Sequence, residues 1–330
     1  MNNPQNDPVV EALKKFFDAF PSGPLGVDVV GLSECNGRIL ANDIAASVDS
    51  PPFSRALVEG YLVNLSDTTA AGENNAVTLA VKGMIEPGKT YTEGLPAGSC
   101  MEVSTGSFVP EGGYAVVRQM DVTRREDNIA VKRSFNKGDN IESRGCEIKK
   151  DEVILRVGTR LSPKEIMLLA GQGVSSVGVA RKPIVAIYSS GNEIIRPSEP
   201  LKPGYVWDAN SYTLSALTEE YGGIPLVVDI MRDDFDAFQK ALRAGLTRAD
   251  MAVISGGTAV GGKEFIVELI NSLDEPGVVV NGVPMRSGRP LIMGVVADKP
   301  VVCVAGYPPE AIRGFELFGK PTIARLLGMK

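Results

Sequence analysis

The chain has 330 residues, 44% of them hydrophobic and 22% charged, with a net charge of −6, four cysteines and no histidine. This is the composition of two or three globular units; it excludes a disordered chain, a broad nucleic-acid-binding surface, and Ser-His-Asp or Cys-His catalysis. No CxxC pair or membrane-length apolar run occurs, and the opening MNNPQNDPVV carries no secretory pattern, so a soluble cytoplasmic protein is expected.

In chain order, Asp7 and Pro8 open a first helix whose apolar stripe is Val9, Leu13, Phe16, Phe17 and Phe20. From about Ser47 to Arg133 the texture becomes short β-like runs, YLVNL, AVTLAV, YAVVRQM and NIAVKR, punctuated by Gly, Pro and Asn. Ser162-Pro163-Lys164-Glu165 is a capping box opening another short helix, followed by the strand VSSVGVA. Beyond Pro183, strands alternate with helices: PIVAIYSS, PLVVDIM and MAVIS, then GVVV, LIMGVV and VVCVA before a closing helix. Such alternation predicts a doubly wound α/β domain with a mainly parallel sheet, binding its ligand at the C-terminal ends of the strands. The domain division expected is 1–46 with 138–180 as a small discontinuous α+β domain, 47–137 as an inserted mostly-β domain, and 181–330 as the α/β domain.

Four Gly-bearing loops fall at strand ends of the α/β region. The stretch Ser255-Gly256-Gly257-Thr258 through Lys263 links a strand to a helix, where small residues let backbone amides approach an anion. It contains GxxxxGK, but Glu264 stands where a P-loop has a hydroxyl, so it is not a P-loop. Arg286-Ser287-Gly288-Arg289 presents two guanidinium groups suited to phosphate or molybdate. Ser190-Gly191-Asn192-Glu193 and the loop around Gly306 complete the group. Without histidine, chemistry falls to carboxylates, hydroxyls and a hard cation such as magnesium. Asp233, Asp234 and Asp236 can serve a site or begin a helix, Asp208 and Asn210 are natural caps, and the four cysteines read as buried small hydrophobes.

Together these segments resemble the MoeA/gephyrin-E family of molybdopterin molybdenumtransferases over nearly the whole chain. Pro51-Pro52-Phe53 with Glu59-Gly60-Tyr61 is similar to the family's PPFDNSAMDGY, and Thr105-Gly106 through Ala115-Val116-Val117 to TG…PEGADAVV. Ser190–Glu193 resembles TGDE, Asp208–Ser211 resembles DSNS, and Ser255-Gly256-Gly257 resembles SGGVSVG. The departures are Ser54 and Arg55 for the Asp-Asn of PPFDN, Tyr114 for the Asp of GADAVV, Asn192 for the Asp of TGDE, Ala259 for the Ser of SGGVSVG, and Tyr307 for the Asn of PGNP. A divergent member that lacks the C-terminal fourth domain is the expectation.

The resemblance implies a cytoplasmic homodimer in molybdenum-cofactor synthesis. It would transfer molybdenum from molybdate to adenylylated molybdopterin and release AMP, with magnesium, beside other proteins of the same synthesis and without nucleic acid or membrane. The implied catalytic set is Glu59, Glu147, Glu193, Asp233 and Glu264, with Glu193, Asp233 and Glu264 holding metal. Substrate would be bound by Ser190, Gly191, Asp208, Asn210, Ser255, Gly256, Gly257, Thr258, Arg286, Gly288, Arg289 and Gly306. The alternative is a catalytically impaired paralogue that binds molybdopterin or its nucleotide form as carrier or sensor.

Overall fold

The computed structural model describes residues 7–21, 23–257, 262–283 and 291–329. The chain forms two compact units, Met1–Asn42 with Arg156–Ile166 and Ser175–Lys330, and Asp43–Leu155 with Met167–Val174. The first unit opens with helix α1 (Pro8–Phe17), where Asp7 accepts a hydrogen bond from the Val9 amide at 2.9 Å and Pro8 fills a position that needs no donor. Strand β1 (Val27–Gly31) follows.

The second unit is built on β2 (Gly60–Asn64), β3 (Val77–Ile85), β4 (Ser99–Val103), β5 (Tyr114–Arg118), β6 (Val122–Arg125) and β7 (Asn128–Val131). These lie in the spatial order β5-β2-β4-β3-β7-β6, antiparallel except for the parallel β3–β4 pair. Strand alternation sends Leu62, Met101 and Val116 into one apolar cluster and Tyr61, Val63, Cys100 and Val117 into another. Both faces are therefore buried, which is why YLVNL and YAVVRQM read as continuous apolar runs. The four predicted runs overlap β2, β3, β5 and β7; β4 and β6 carry internal Glu102 and Arg124 and give no such run.

The capping box forms as read. The Ser162 amide donates to Glu165 Oε2 at 3.0 Å and the Ser162 hydroxyl bonds to the same oxygen, which holds the Glu165 carboxyl below its ordinary range. The helix it opens is α2 (Pro163–Gly171), and β8 (Ser176–Ala180) then returns antiparallel to β1.

The remainder is β9 (Ile184–Ser190), the short β10 (Ile194–Ile195) and β11 (Val206–Trp207), α3 (Asn210–Glu220), β12 (Ile224–Met231), α4 (Phe235–Leu246) and β13 (Met251–Ser255). After these come α5 (Gly262–Asn271), β14 (Gly277–Asn281), β15 (Ile292–Val296), β16 (Lys299–Val304), α6 (Pro308–Gly314), a π turn (Phe315–Gly319) and α7 (Lys320–Leu326). The sheet order is β12-β9-β13-β16-β15-β14, with the first four strands parallel. The mainly parallel sheet expected from the alternation turns antiparallel at one edge. Only Ala297 and Asp298, both at positive φ (49° and 61°), join β15 to β16, and a two-residue connection closes an antiparallel hairpin.

The sheet is covered on both sides. Val185, Ile187 and Val253 point into a cluster with Phe16 of α1, Leu214 of α3 and Phe315, whereas Ala186, Tyr188 and Ile254 meet Phe238 of α4 and Ile266 of α5. The chain leaves β9 through α3 to β12 on one side and returns through α4 to β13 on the other. The order thus reverses between β9 and β13, the switch point where open α/β sheets bind ligands. Beside it, β12 carries an extra residue: Ile187 pairs with Val227 but Tyr188 with Asp229, so Val228 forms a bulge.

Candidate functional site

At the C-terminal ends of β9 and β13 lies a cavity of about 470 Å³. Its wall comes from Ser189 and Ser190 at the end of β9 and Glu193 beyond it, Trp207 to Asn210 from β11 to the start of α3, Ser255 to Gly257 at and after the end of β13, and Gly306 to Pro308 at the start of α6. Two of its glycines are conformational necessities. Gly256 has φ +101° and a Cβ there would lie 2.4 Å from the Ser190 carbonyl oxygen; at Gly257 (φ +66°) a Cβ would lie 2.8 Å from Ile266.

The floor is polar and buried. Asp208 accepts from Ser189 Oγ at 2.7 Å, from the Ser211 amide at 3.1 Å and from the Ser211 hydroxyl, so its carboxylate is consumed in fixing β9 to the start of α3. Asn210 Nδ2 donates to Ser255 Oγ at 2.6 Å and to the Gly306 carbonyl at 2.8 Å, tying three loops together. Asn210 Oδ1 is buried without a partner among the described residues. A buried acceptor left open in a pocket is costly unless a ligand donates to it. The Gly256 amide is spent on the Val304 carbonyl (3.1 Å), while the Gly257 amide and the Ser190 hydroxyl have no partner among the described residues.

At the mouth, Glu193 is exposed and folds back over Gly191, where a Cβ would sit 2.7 Å from its Oε2. Asp233 does not line the cavity; it is held by Asn192 Nδ2 at 2.7 Å, and Arg232 donates to the carbonyls of Gly191 and Asn192. Two of the acidic residues thus divide the labour. Asp234 caps α4 by accepting from the Ala237 amide at 2.9 Å, and Asp233 braces the loop that carries Glu193. Glu264 stands exposed in the first turn of α5. Glu59 and Glu147 belong to the second unit, where both are exposed and Glu147 accepts from Ser50 Oγ at 2.8 Å. Thr258, Arg286, Gly288 and Arg289 lie outside the described residues.

Sequence reading therefore brought Ser190, Glu193, Asp208, Asn210, Ser255, Gly256, Gly257 and Gly306 to one cavity. It did not name Ser189, Trp207 or Pro308 as binding residues, and it noted Tyr307 only as a departure from the family's PGNP. Trp207 was invisible as a wall because its position depends on the two-residue pairing of β10 with β11, which has no periodicity to read. The cysteine reading is corrected at one position: Cys35, Cys100 and Cys303 are buried but Cys146 is exposed. Burial pushes the Tyr188 phenol and the Cys303 thiol up, and Cys100 to about 12, so none supplies a nucleophile near neutrality.

Comparison with known proteins bears on both units. A family model described as the MoeA N-terminal region (domain I and II) matches residues 8–173, and one described as a probable molybdopterin binding domain matches residues 186–325. A molybdopterin molybdenumtransferase of Bacillus subtilis is 33% identical over 321 residues, which cover 96% of this chain and 74% of that one. The chain belongs to the MoeA family. A Haemophilus influenzae molybdopterin molybdenumtransferase is 30% identical over 97% of this chain and 78% of its own. The crystal structure of a molybdopterin biosynthesis MoeA protein from Pyrococcus horikoshii superposes with a TM-score of 0.86 at 34% identity, covering 97% of this chain and 80% of that chain. The MoeA fold thus extends over both units, and the cavity falls within the segment matched by the molybdopterin-binding model. Among the described residues no helix is long and apolar enough to cross a membrane.

Proposed function

We propose that this MoeA-family chain acts in molybdenum-cofactor biosynthesis, transferring molybdenum from molybdate to adenylylated molybdopterin with release of AMP. The observation that carries this reading is the cavity at the sheet's switch point, with a buried open acceptor at Asn210 Oδ1 and the Gly256–Gly257 turn beside it, inside a segment matched by a molybdopterin-binding model. Asn210 Oδ1 accepts a ligand N–H, the Ser190 hydroxyl and the Gly257 amide serve as donors, and Asp208 positions Ser189 and α3 without touching the ligand. Arg286, Gly288, Arg289 and Thr258 are assigned by sequence to the phosphate end.

Magnesium is tested by the donor set. Among the described residues no three acidic or thiol side chains gather into a ready cage. Magnesium, however, commonly takes one or two carboxylates together with substrate phosphates and water, and Glu193 offers such a carboxylate at the cavity wall. The residues fit that mode. Glu193, with Asp233 and Glu264 as further candidates, would hold the ion, which when bound neutralises phosphate charge beside an otherwise acidic wall. Glu59 and Glu147 of the second unit remain proposed catalytic carboxylates. A cytoplasmic homodimer, with 1–46 plus 138–180, 47–137 and 181–330 as its domains, belongs to the same proposal.

The test is AMP release from adenylylated molybdopterin. Release that requires both molybdate and magnesium is expected; ligand binding without release would replace the transferase reading by that of a carrier or sensor.

A further inference from the structure

We infer that Asn192 is a positioning residue: its side-chain amide takes the place of a bridging cation between the Glu193 loop and Asp233, so the loop is set without magnesium and Asp233 leaves the set of metal candidates. This deepens the proposed function and rests on it only in taking Glu193 to serve a magnesium-dependent reaction.

Asn192 and Asp233 meet in a reciprocal pair. Asn192 Nδ2 donates to Asp233 Oδ2 at 2.7 Å, and the Asp233 amide donates back to Asn192 Oδ1 at 3.2 Å. The two contacts fix which way the Asn192 amide faces, because an ionised carboxylate only accepts and a backbone N–H only donates. Beside the pair, the Gly191 amide donates to the Met231 carbonyl at 3.0 Å. Arg232 Nη1 donates to the carbonyls of Gly191 and Asn192 at 3.0 and 2.7 Å. On the far side of the loop the Val206 amide holds the Glu193 carbonyl at 2.9 Å. The loop is thus held by donors and acceptors that the chain itself supplies.

Asn192 stands where the family motif TGDE has aspartate. An aspartate there would keep the bond from the Asp233 amide, but it would set two carboxylates oxygen to oxygen at hydrogen-bond distance. Such a pair needs a proton or a cation between its members. Arg232, the cation next in sequence, is committed to the two carbonyls. The asparagine amide meets the need from within: it turns a positive hydrogen toward Asp233, and its nitrogen has no lone pair to give a metal. Two carboxylates that stand close in this region therefore have different work. Glu193 lines the cavity, whereas Asp233 lies outside its wall and belongs to the frame of the loop.

The experiment uses the full chain without substrate, in magnesium-free buffer and with millimolar magnesium chloride, sodium chloride of equal ionic strength controlling for screening. The parent is compared with Asn192→Asp and with the exchange Asn192→Asp/Asp233→Asn, which swaps carboxylate and amide across the pair. Melting and titration are followed by the emission of Trp207, the chain's only tryptophan, which lines the same cavity and follows Val206. The parent's melting temperature moves by less than about 1 °C with magnesium. Asn192→Asp melts roughly 2–4 °C lower without magnesium and recovers as the ion is added, its emission following the same saturation curve. The exchange variant melts with the parent and is indifferent to magnesium.

A parent that responds to magnesium as strongly as Asn192→Asp overturns the inference, because a cation then bridges the loop in the native protein. An Asn192→Asp variant that matches the parent overturns it, as does one whose loss magnesium leaves unrepaired. An exchange variant as unstable as Asn192→Asp does the same. None of these readings uses substrate, so a chain that fails to release AMP loses the transferase reading and keeps the lock. AMP release intact beside a magnesium-sensitive parent keeps the transferase reading and returns Asp233 to the metal.

Discussion

The floor of the cavity and its mouth are built on opposite principles. On the floor, Asp208, Ser189, Ser211, Asn210 and Ser255 spend most of their hydrogen bonds on one another, leaving one buried acceptor, Asn210 Oδ1, without a partner among the described residues. At the mouth, Glu193 and Trp207 are braced through a neighbouring loop or a remote ring nitrogen, and their side chains stay exposed. The floor gives position and the mouth gives choice. Substitutions on the floor should therefore cost stability and binding together, while substitutions at the mouth should separate the two.

The largest effect is expected at Gly256. Alanine there must adopt φ near +101° and push against the Ser190 carbonyl, for a loss of about 3 kcal/mol or more in unfolding free energy together with loss of ligand binding. Chemical denaturation with a ligand titration checks both. Asp208→Ala comes next. It strands two hydroxyls and an amide, and about 2–4 kcal/mol is expected from the same denaturation, with little recovered by ligand. Asn210→Ala removes two donated bonds at about 1–2 kcal/mol and deletes the open acceptor, so affinity falls as well.

Glu193→Gln should break the pattern. Its stability stays within about 0.5 kcal/mol of the parent, while the magnesium concentration needed for AMP release rises roughly tenfold or more. A melting shift as large as that of Asp208→Ala would erase the distinction between floor and mouth.

The smallest effect lies in the second unit and concerns pH. The Lys150 amide (2.9 Å) and the Arg144 guanidinium (2.7 Å) hold the Asp49 carboxyl below its ordinary value of 3.8. A depressed carboxylate contributes stability that is complete above the unfolded value and disappears as pH falls through the lower folded one. Acid titration should therefore find Asp49→Asn less stable than the parent above about pH 4 and converging with it below that pH, a difference that salt reduces.

Much of this arrangement was legible in the sequence, for identifiable reasons. Strand-to-helix alternation places Ser190, Ser255 and Gly306 at strand ends, and strand ends of one parallel sheet meet in space. Local chemistry likewise announced the Asp7 cap and the Ser162–Glu165 box. What escaped was whatever depends on partners distant in the chain. Nothing local tells Asp233 from Asp234, yet one braces Asn192 and the other caps α4. The hairpin of β15 and β16 hid because its turn is Ala297-Asp298, without the glycine that usually marks two residues at positive φ. Cys146 defied the reading of cysteine as a core residue because its loop is set by polar contacts, among them Arg144 with Asp49.

The bulge at Val228 has a consequence for length. The loop bearing Glu193 is moored by the Gly191 amide to the Met231 carbonyl at 3.0 Å, at the far end of the strand that carries the extra residue. Val228 acts as a spacer: it advances the mooring point by one residue relative to β9 without lengthening β9 itself. Deleting it would keep every side chain of the cavity wall yet draw the anchor back by about one strand step, roughly 3.3 Å. The reach of the Glu193 loop is therefore written one strand away, in a residue that does not line the cavity.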